Sequence, residues 1–166
     1  MSVFTEHAKV VQVVAPREEN LGTTDTAVID ISGHHECSFF IVVGTNAAHG
    51  RATVQAQACD DTTPTNDTAI AFKYRLTGSG NDIFGDLTDV AAGNTFTTEG
   101  DPSAGRTYEV VIDPSVVAAA TVDGTTGHRY VRLELSNTVA QNSTHTILAV
   151  LDKPRYKGST QATVLP

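Results

Sequence analysis

Four adjacent residues, His34-His35-Glu36-Cys37, carry the side chains most able to hold a metal ion or to activate a nucleophile. Their order argues against a shared ion. Successive side chains of a strand point to opposite faces, so His34 and His35 aim apart. Zinc sites pair Cys or His residues two to four positions apart and match them with a second such pair, which this chain lacks. A polar start to a strand accounts for these residues, and no metal is expected.

The two cysteines, Cys37 and Cys59, raise a second possibility. If Cys37–Val43 and Ala52–Cys59 form a hairpin around Thr45–Gly50, the inward residues oppose one another as Val42 with Val54, Phe40 with Ala56 and Ser38 with Ala58. That register sets Cys37 opposite Cys59 on the other face. Two close reduced thiols are expected rather than a disulfide, because nothing in the sequence points to an oxidising compartment. Neither cysteine has an evident activating neighbour.

Other catalytic patterns are missing. No G-x-S-x-G elbow occurs. Asp60-Asp61 and the Asp82, Asp86, Asp89 series do not match the spacing of a calcium loop, and Asp in such clusters serves turns by bonding local backbone. Gly78-Ser79-Gly80 lacks the Lys-Ser/Thr that completes a phosphate loop. Ten aromatic residues, with no Trp, form no evident platform for stacking sugars or bases. Asn66-Asp67-Thr68 and Asn142-Ser143-Thr144 fit the glycosylation pattern but carry little weight without a secretion signal. No catalytic residue and no cofactor is expected.

The elements that must position these residues are strands. The 166 residues include 24 Thr and 19 Val but one Met, and β-branched side chains suit strands better than helices. The apolar runs are short and evenly spaced: Ala8–Val14, Ala27–Ile31, Cys37–Val43, Ala52–Cys59, Ala69–Leu76, Thr107–Ile112, Tyr130–Leu135 and Thr146–Leu151. Turn clusters rich in Gly, Asn, Asp and Pro separate them, among them Pro16–Thr24 and Asp60–Asp67. About eight strands with such punctuation predict an all-β, antiparallel sandwich or barrel. Several strands alternate strictly: Val54, Ala56 and Ala58 against Thr53, Gln55 and Gln57; Ile70, Phe72, Tyr74 and Leu76 against Ala71, Lys73 and Arg75; Val131, Leu133 and Leu135 against Tyr130, Arg132 and Glu134. Cys37–Val43 is apolar on both faces. It is therefore a strand covered on both sides, or one whose outer face another subunit buries. Asp113-Pro114-Ser115 before Val116-Val117 reads as a capped short helical turn, Asp113 being the N-cap. Asn81–Gly100 shows little pattern and is expected to be a long loop or an irregular edge strand.

Charge narrows the partners. The net charge of −8 lacks the basic footprint that nucleic-acid binding needs. Asp60–Asp123 holds 11 acidic and 3 basic residues, net −8, while Thr125–Pro166 holds 5 basic and 2 acidic, net +3. Such polarity suits contacts within an assembly as well as it suits a solvated acidic loop surface. No run approaches the roughly 18 apolar residues that span a bilayer, so no membrane partner is expected. The N-terminus has no signal-peptide pattern, which predicts a chain made in a cytoplasm and kept there or released by lysis. The organisation expected is an N-terminal arm or first strand over 1–14, one sandwich domain over 15–158, and a tail over 159–166.

The element order also resembles a known group. CSFFIVVGTNAAHGRATVQAQACDD is followed by AIAFKYRL, Asn94–Thr98, YEVVIDPSVVA, GHRYVRLELS and HTILAVLDKPRYKG. This order is similar to that of small head decoration, or cement, proteins of tailed bacteriophages, with His128–Arg132 and Val150–Gly158 the most characteristic pieces. The likeness runs over about residues 25–158 and rests on order and residue style rather than one diagnostic motif. It implies a jelly-roll β-sandwich without enzymatic activity, made in the host cytoplasm and carried on the capsid surface of the virion. There it would bridge major capsid protein subunits and associate with copies of itself as a dimer or trimer. The candidate assembly contacts are Phe4 and Val10 in the N-terminal arm, Phe39 and Ile41 in the two-sided apolar strand, and Lys153, Arg155, Tyr156 and Lys157 in the basic segment. Ordering such terminal segments costs about 1–2 kcal/mol per residue, so they are expected to be flexible alone and ordered in the assembly. Two other classes compete: a tail, baseplate or carbohydrate-binding attachment module, which would need exposed aromatics, and a small hydrolase, which would need a converged His and carboxylate.

Overall fold

The computed structural model describes residues 8–23, 25–44, 50–78, 82–99 and 105–154. The elements in chain order are β1 (Ala8–Asn20), a 3-10 turn (Leu21–Thr23), β2 (Ile29–Asp30), β3 (His34–Val43), β4 (Arg51–Cys59), β5 (Asp67–Ala69), β6 (Phe72–Leu76), β7 (Thr88–Val90), β8 (Phe96–Thr97), β9 (Arg106–Ile112), α1 (Pro114–Ala119), β10 (Tyr130–Val139) and β11 (Asn142–Pro154). They form two antiparallel sheets. One has the order β1-β11-β3-β9-β6-β7; the other has β2-β10-β4-β5, with β8 also on β4.

The pairing is nested. β1 pairs with β11, β2 with β10, β3 with β9 and β4 with β5. The chain passes from sheet to sheet at most steps, so β1-β11-β3-β9 faces β2-β10-β4-β5. That is the strand order of a jelly roll. β6, β7 and β8 are an excursion inserted between β5 and β9.

Nesting overturns the hairpin expected between Cys37–Val43 and Ala52–Cys59. β3 lies between β11 and β9 in the larger sheet, and β4 lies in the smaller one. Cys37 is registered with Leu151 and Ile112, Cys59 with Tyr130 and Asp67. Both are free thiols, and burial pushes both up to about 12. The physical reason is burial. As a hairpin, β3 and β4 would share one sheet. In separate sheets, both apolar rows enter one core: Cys37, Phe39, Ile41 and Val43 with Ala52, Val54, Ala56 and Ala58. β3 also gains a hydrogen-bonded neighbour on each side.

The alternation read from the sequence is observed in β4 and β10, where Val54, Ala56, Ala58, Val131 and Leu133 are fully buried. Two expectations needed correction. The run Ala69–Leu76 is not one strand, because the chain crosses between sheets at Ile70-Ala71: β5 pairs with β4 and β6 with β9. Pro16–Thr24 is not wholly a turn. β1 continues to Asn20 through register shifts between Gln12 and Val14 and between Val14 and Arg17, bulges that let an edge strand carry Pro16. The patternless segment holds β7 and β8. Phe96 of β8 stacks on Tyr74 at 4.1 Å and lies 6.1 Å from Phe72 and 5.8 Å from Tyr108, so aromatic contacts tie the excursion across the two sheets. The helix starts as expected: the Asp113 side chain accepts from Ser115 N at 2.8 Å, and Pro114 opens the first turn. Hydrogen bonds from the Ser115 hydroxyl and then its backbone N–H hold the Asp113 carboxyl below its ordinary value.

Two substitutions grade the stability of this frame. Leu133→Ala empties a fully buried site and is expected to cost about 2–5 kcal/mol. Asp113→Ala removes only the helix cap and is expected to cost about 1 kcal/mol. Urea unfolding of the two variants measures both, and equal losses would contradict the assignment of core and cap.

Candidate interaction surface

The two sheets differ in what they show to solvent. On the outer face of the smaller sheet, Arg132 gathers polar partners from neighbouring strands. Its Nη2 donates to Asp67 at 2.5 Å and its Nε to Gln57 Oε1 at 3.0 Å, while Asp25 lies 3.6 Å from Nη1. Gln57 in turn donates through Nε2 to Glu134. Nearby, Arg129 lies over the Tyr130 ring and 3.4 Å from Asp30. On this face two arginines, Arg129 and Arg132, serve three carboxylates, and a fourth, Glu134, accepts from Gln57.

The outer face of the larger sheet mixes apolar and polar side chains, the apolar ones gathered on β1, β11, β3 and β9. Register sets its rows. One row runs Val10, Val150, Ser38, Val111, Lys73, Asp89; the next runs Gln12, Leu148, Phe40, Glu109, Arg75; a third holds Thr146, Val42 and Thr107. Val10 is 50% exposed and Val42 36%. Where the strands carry charge, the charge is paired: Lys73 with Asp89 at 3.0 Å, Arg75 with Glu109 at 2.5 Å, and Lys153 with Glu36. Phe84 folds back over this face. Its backbone bridges to Thr77, its ring lies 6.4 Å from Phe40, and the Arg75 guanidinium sits 4.9 Å from its centre. Beside it, Ile83 is 73% exposed and Leu87 48%.

The expected contact residues distribute unevenly. Val10 is on this outer face, and Lys153 is exposed at its margin. Phe39 and Ile41 are not available to a partner: both are 0% exposed and point into the sandwich. In a strand with apolar residues at consecutive positions, only one alternating set faces out, and in β3 that set is Ser38, Phe40 and Val42. Phe4, Arg155, Tyr156 and Lys157 lie outside the described residues. Ala8 is registered with Asp152, so the segments holding Phe4 and Arg155–Lys157 join the sandwich at one corner. Ala8–Val14, expected as a strand, lies within β1 with Val13 and Val14 buried; residues 1–7 lie outside the described residues. Leu148, Val150, Phe84 and Ile83 were not singled out from the sequence. The alternation in Thr146–Leu151 was a usable signal for the first two. Phe84 and Ile83 lie in a segment without periodicity and gave none.

His34 is buried and His35 exposed, aiming apart as strand geometry requires. Among the described residues, no three His, Cys, Asp or Glu side chains gather in a metal-holding group. No helix among them is long and apolar enough to cross a membrane.

Comparison with known proteins gives little. No family model matches, and no curated protein matches. Among solved structures, the VP2 subviral particle of infectious bursal disease virus aligns over 95% of this chain and 44% of its own, at 13% identity and a TM-score of 0.24. The CBM22-1–GH10 modules of Clostridium thermocellum xylanase 10B align over 94% of this chain and 28% of their own, at 12% identity and a TM-score of 0.18. The chain thus spans less than half the length of either, and its fold assignment rests on its own strand order.

Titration of two buried histidines provides a test of this packing. His145 is 2% exposed; its Nδ1 lies 3.0 Å from Ser143 O, and its Nε2 has no hydrogen-bond partner among the described residues. Burial lowers it below 6.5, the backbone bond opposes that, and Arg17 lowers it further. Burial, then Lys9, lower His34 in the same way. A folded value below the unfolded one means that stability is fully present above pH 6.5 and is lost as pH falls through the folded value. Urea midpoints should therefore fall from pH 7 to pH 5, and His145→Asn, which keeps a donor near Nδ1, should fall less. An equal slope in the variant would contradict the burial of a neutral ring.

Proposed function

We propose that this chain is a non-enzymatic structural protein of a phage particle, binding the outside of the capsid and holding neighbouring coat subunits together. The observation that carries the reading is the pairing of Ala8 with Asp152. It sets Ala8 and Asp152, near the two ends of the described strands, side by side at one corner of a jelly roll. A clamp needs a stiff body and attachment segments that leave it together, and this corner supplies both. Lys153 is exposed at this corner, and the basic sequence that continues through Arg155 and Lys157 suits an acidic surface on the coat. The body offers strands closed around one core, with polar side chains engaged in internal ion pairs.

Purified chain added to undecorated heads of its own phage is expected to saturate at a fixed number of copies and to raise the temperature at which the heads open. A variant with Lys153, Arg155 and Lys157 all changed to Glu should bind at least tenfold more weakly, with its own unfolding midpoint nearly unchanged, since exposed charges contribute little to folding. Binding to a tail or a glycan in place of heads would overturn the reading.

A further inference from the structure

We propose that an extended segment of a coat subunit joins the larger sheet as an added strand, pairing with the outer edge of β1 over Ala8–Gln12. This contact rests on the reading of a capsid-attached chain and names how the chain is held there.

The sheet edges differ in how far they invite another strand. β7 at one edge of the larger sheet, β2 at one edge of the smaller, and β5 and β8 at the other are two or three residues long. Strands that short offer no continuous row of unpaired N–H and C=O groups. β1 differs, with 13 residues at the remaining edge. Its second half is blunted. The register with β11 shifts between Gln12 and Val14 and again between Val14 and Arg17. Pro16 has no N–H to offer, and Arg17, Glu18 and Glu19 bring charge. Ala27 N donates to Val13 O at 3.4 Å, so the chain itself covers the edge from that point. Bulges, proline, charge and a covering segment are the devices that keep edge strands from pairing with other chains. Ala8–Gln12 carries no bulge and no proline, and Lys9 is its one charged residue. It pairs with Leu148–Asp152 without a shift. Alternate residues of such a strand turn both backbone groups away from the paired neighbour, so this stretch aligns about four to six of them along its outer side.

A coat segment fits this edge better than a second copy of the chain. Two copies related by a two-fold axis at Val10 would pair antiparallel, and each would run the chain before Ala8 toward the other's Val13. Ala27 is already bonded there. A separate segment is free to turn away at Gln12. Its side chains meet a defined surface. Val10, 50% exposed, stands on the outer face and takes an apolar neighbour. Lys153 is exposed close by, after Asp152, which is registered with Ala8, and favours a carboxylate flanking the added strand. In strand addition the main chain supplies affinity and the alternate side chains supply specificity.

Hydrogen exchange on undecorated heads tests the contact. Amides over Ala8–Gln12 should exchange about tenfold more slowly when the chain is bound to heads than when it is free. Two prolines give an independent reading. Neighbouring residues of a strand point their N–H groups to opposite sides. Of Val10→Pro and Val11→Pro, one therefore breaks a bond to β11 and lowers the unfolding midpoint. The other faces the outer edge, where proline is tolerated. The tolerated variant should keep nearly the wild-type midpoint and bind heads about tenfold more weakly, the loss of one or two backbone bonds. If both prolines unfold the chain, the exchange result decides alone. Bound chain whose Ala8–Gln12 amides exchange as in the free chain, or a tolerated proline that binds like wild type, overturns strand addition and leaves capsid attachment standing. A chain that binds no heads overturns both.

Discussion

β3 lies between β11 and β9, and its inner side chains Cys37, Phe39 and Ile41 are wholly buried. Burying Phe39 and Ile41 contributes about 1.5–3 kcal/mol each, and that gain requires a second sheet opposite them. β4 is part of that second sheet, bringing Ala52, Val54, Ala56 and Ala58 into the same core. Once β3 and β4 are in separate sheets, the remaining strands nest outward from them, ending with β1 on β11. The placement of one apolar strand thus governs where both chain ends leave the body and which face is left toward solvent.

That placement produces two unlike outer faces. Across β10, β4 and β5, outward side chains are polar, and they bind one another through Arg132, Gln57, Glu134 and Asp67. Across β1, β11 and β3, outward Val10, Leu148, Val150, Phe40 and Val42 are interspersed with Gln12, Thr146 and Ser38, and Val10 and Val42 are exposed. The ion pairs on the same sheet keep their charges neutralised without reaching for a partner.

Much of this was legible in the sequence, because period-two alternation and turn chemistry are local. Val131, Leu133 and Leu135 against Arg132 and Glu134, or Asp113 before Pro114, follow from side-chain direction and capping alone. What was not legible is non-local. Nothing in Cys37–Val43 or Ala52–Cys59 says whether they pair edge to edge or stack face to face, since each has an apolar row that either arrangement uses. The choice is made by β11 and β9, about a hundred and about seventy residues away along the chain. The same holds at the surface. Phe39 and Ile41 are indistinguishable in type from Phe40 and Val42, and only the register of β3 decides which pair is buried. β7, at the edge of the larger sheet, fits the irregular edge strand expected within Asn81–Gly100, whereas β8 gave no signal because it is two residues long and held by Phe96 packing, not by a repeating pattern.

The central claim is that this jelly roll is an assembly part whose surfaces, not a pocket, carry its function. A cryo-electron microscopy map of the intact particle tests it most directly. The account predicts the sandwich on the outside of the shell, with the Ala8–Pro154 corner against coat subunits. Density for the chain at the tail, or no density on the particle, would contradict it.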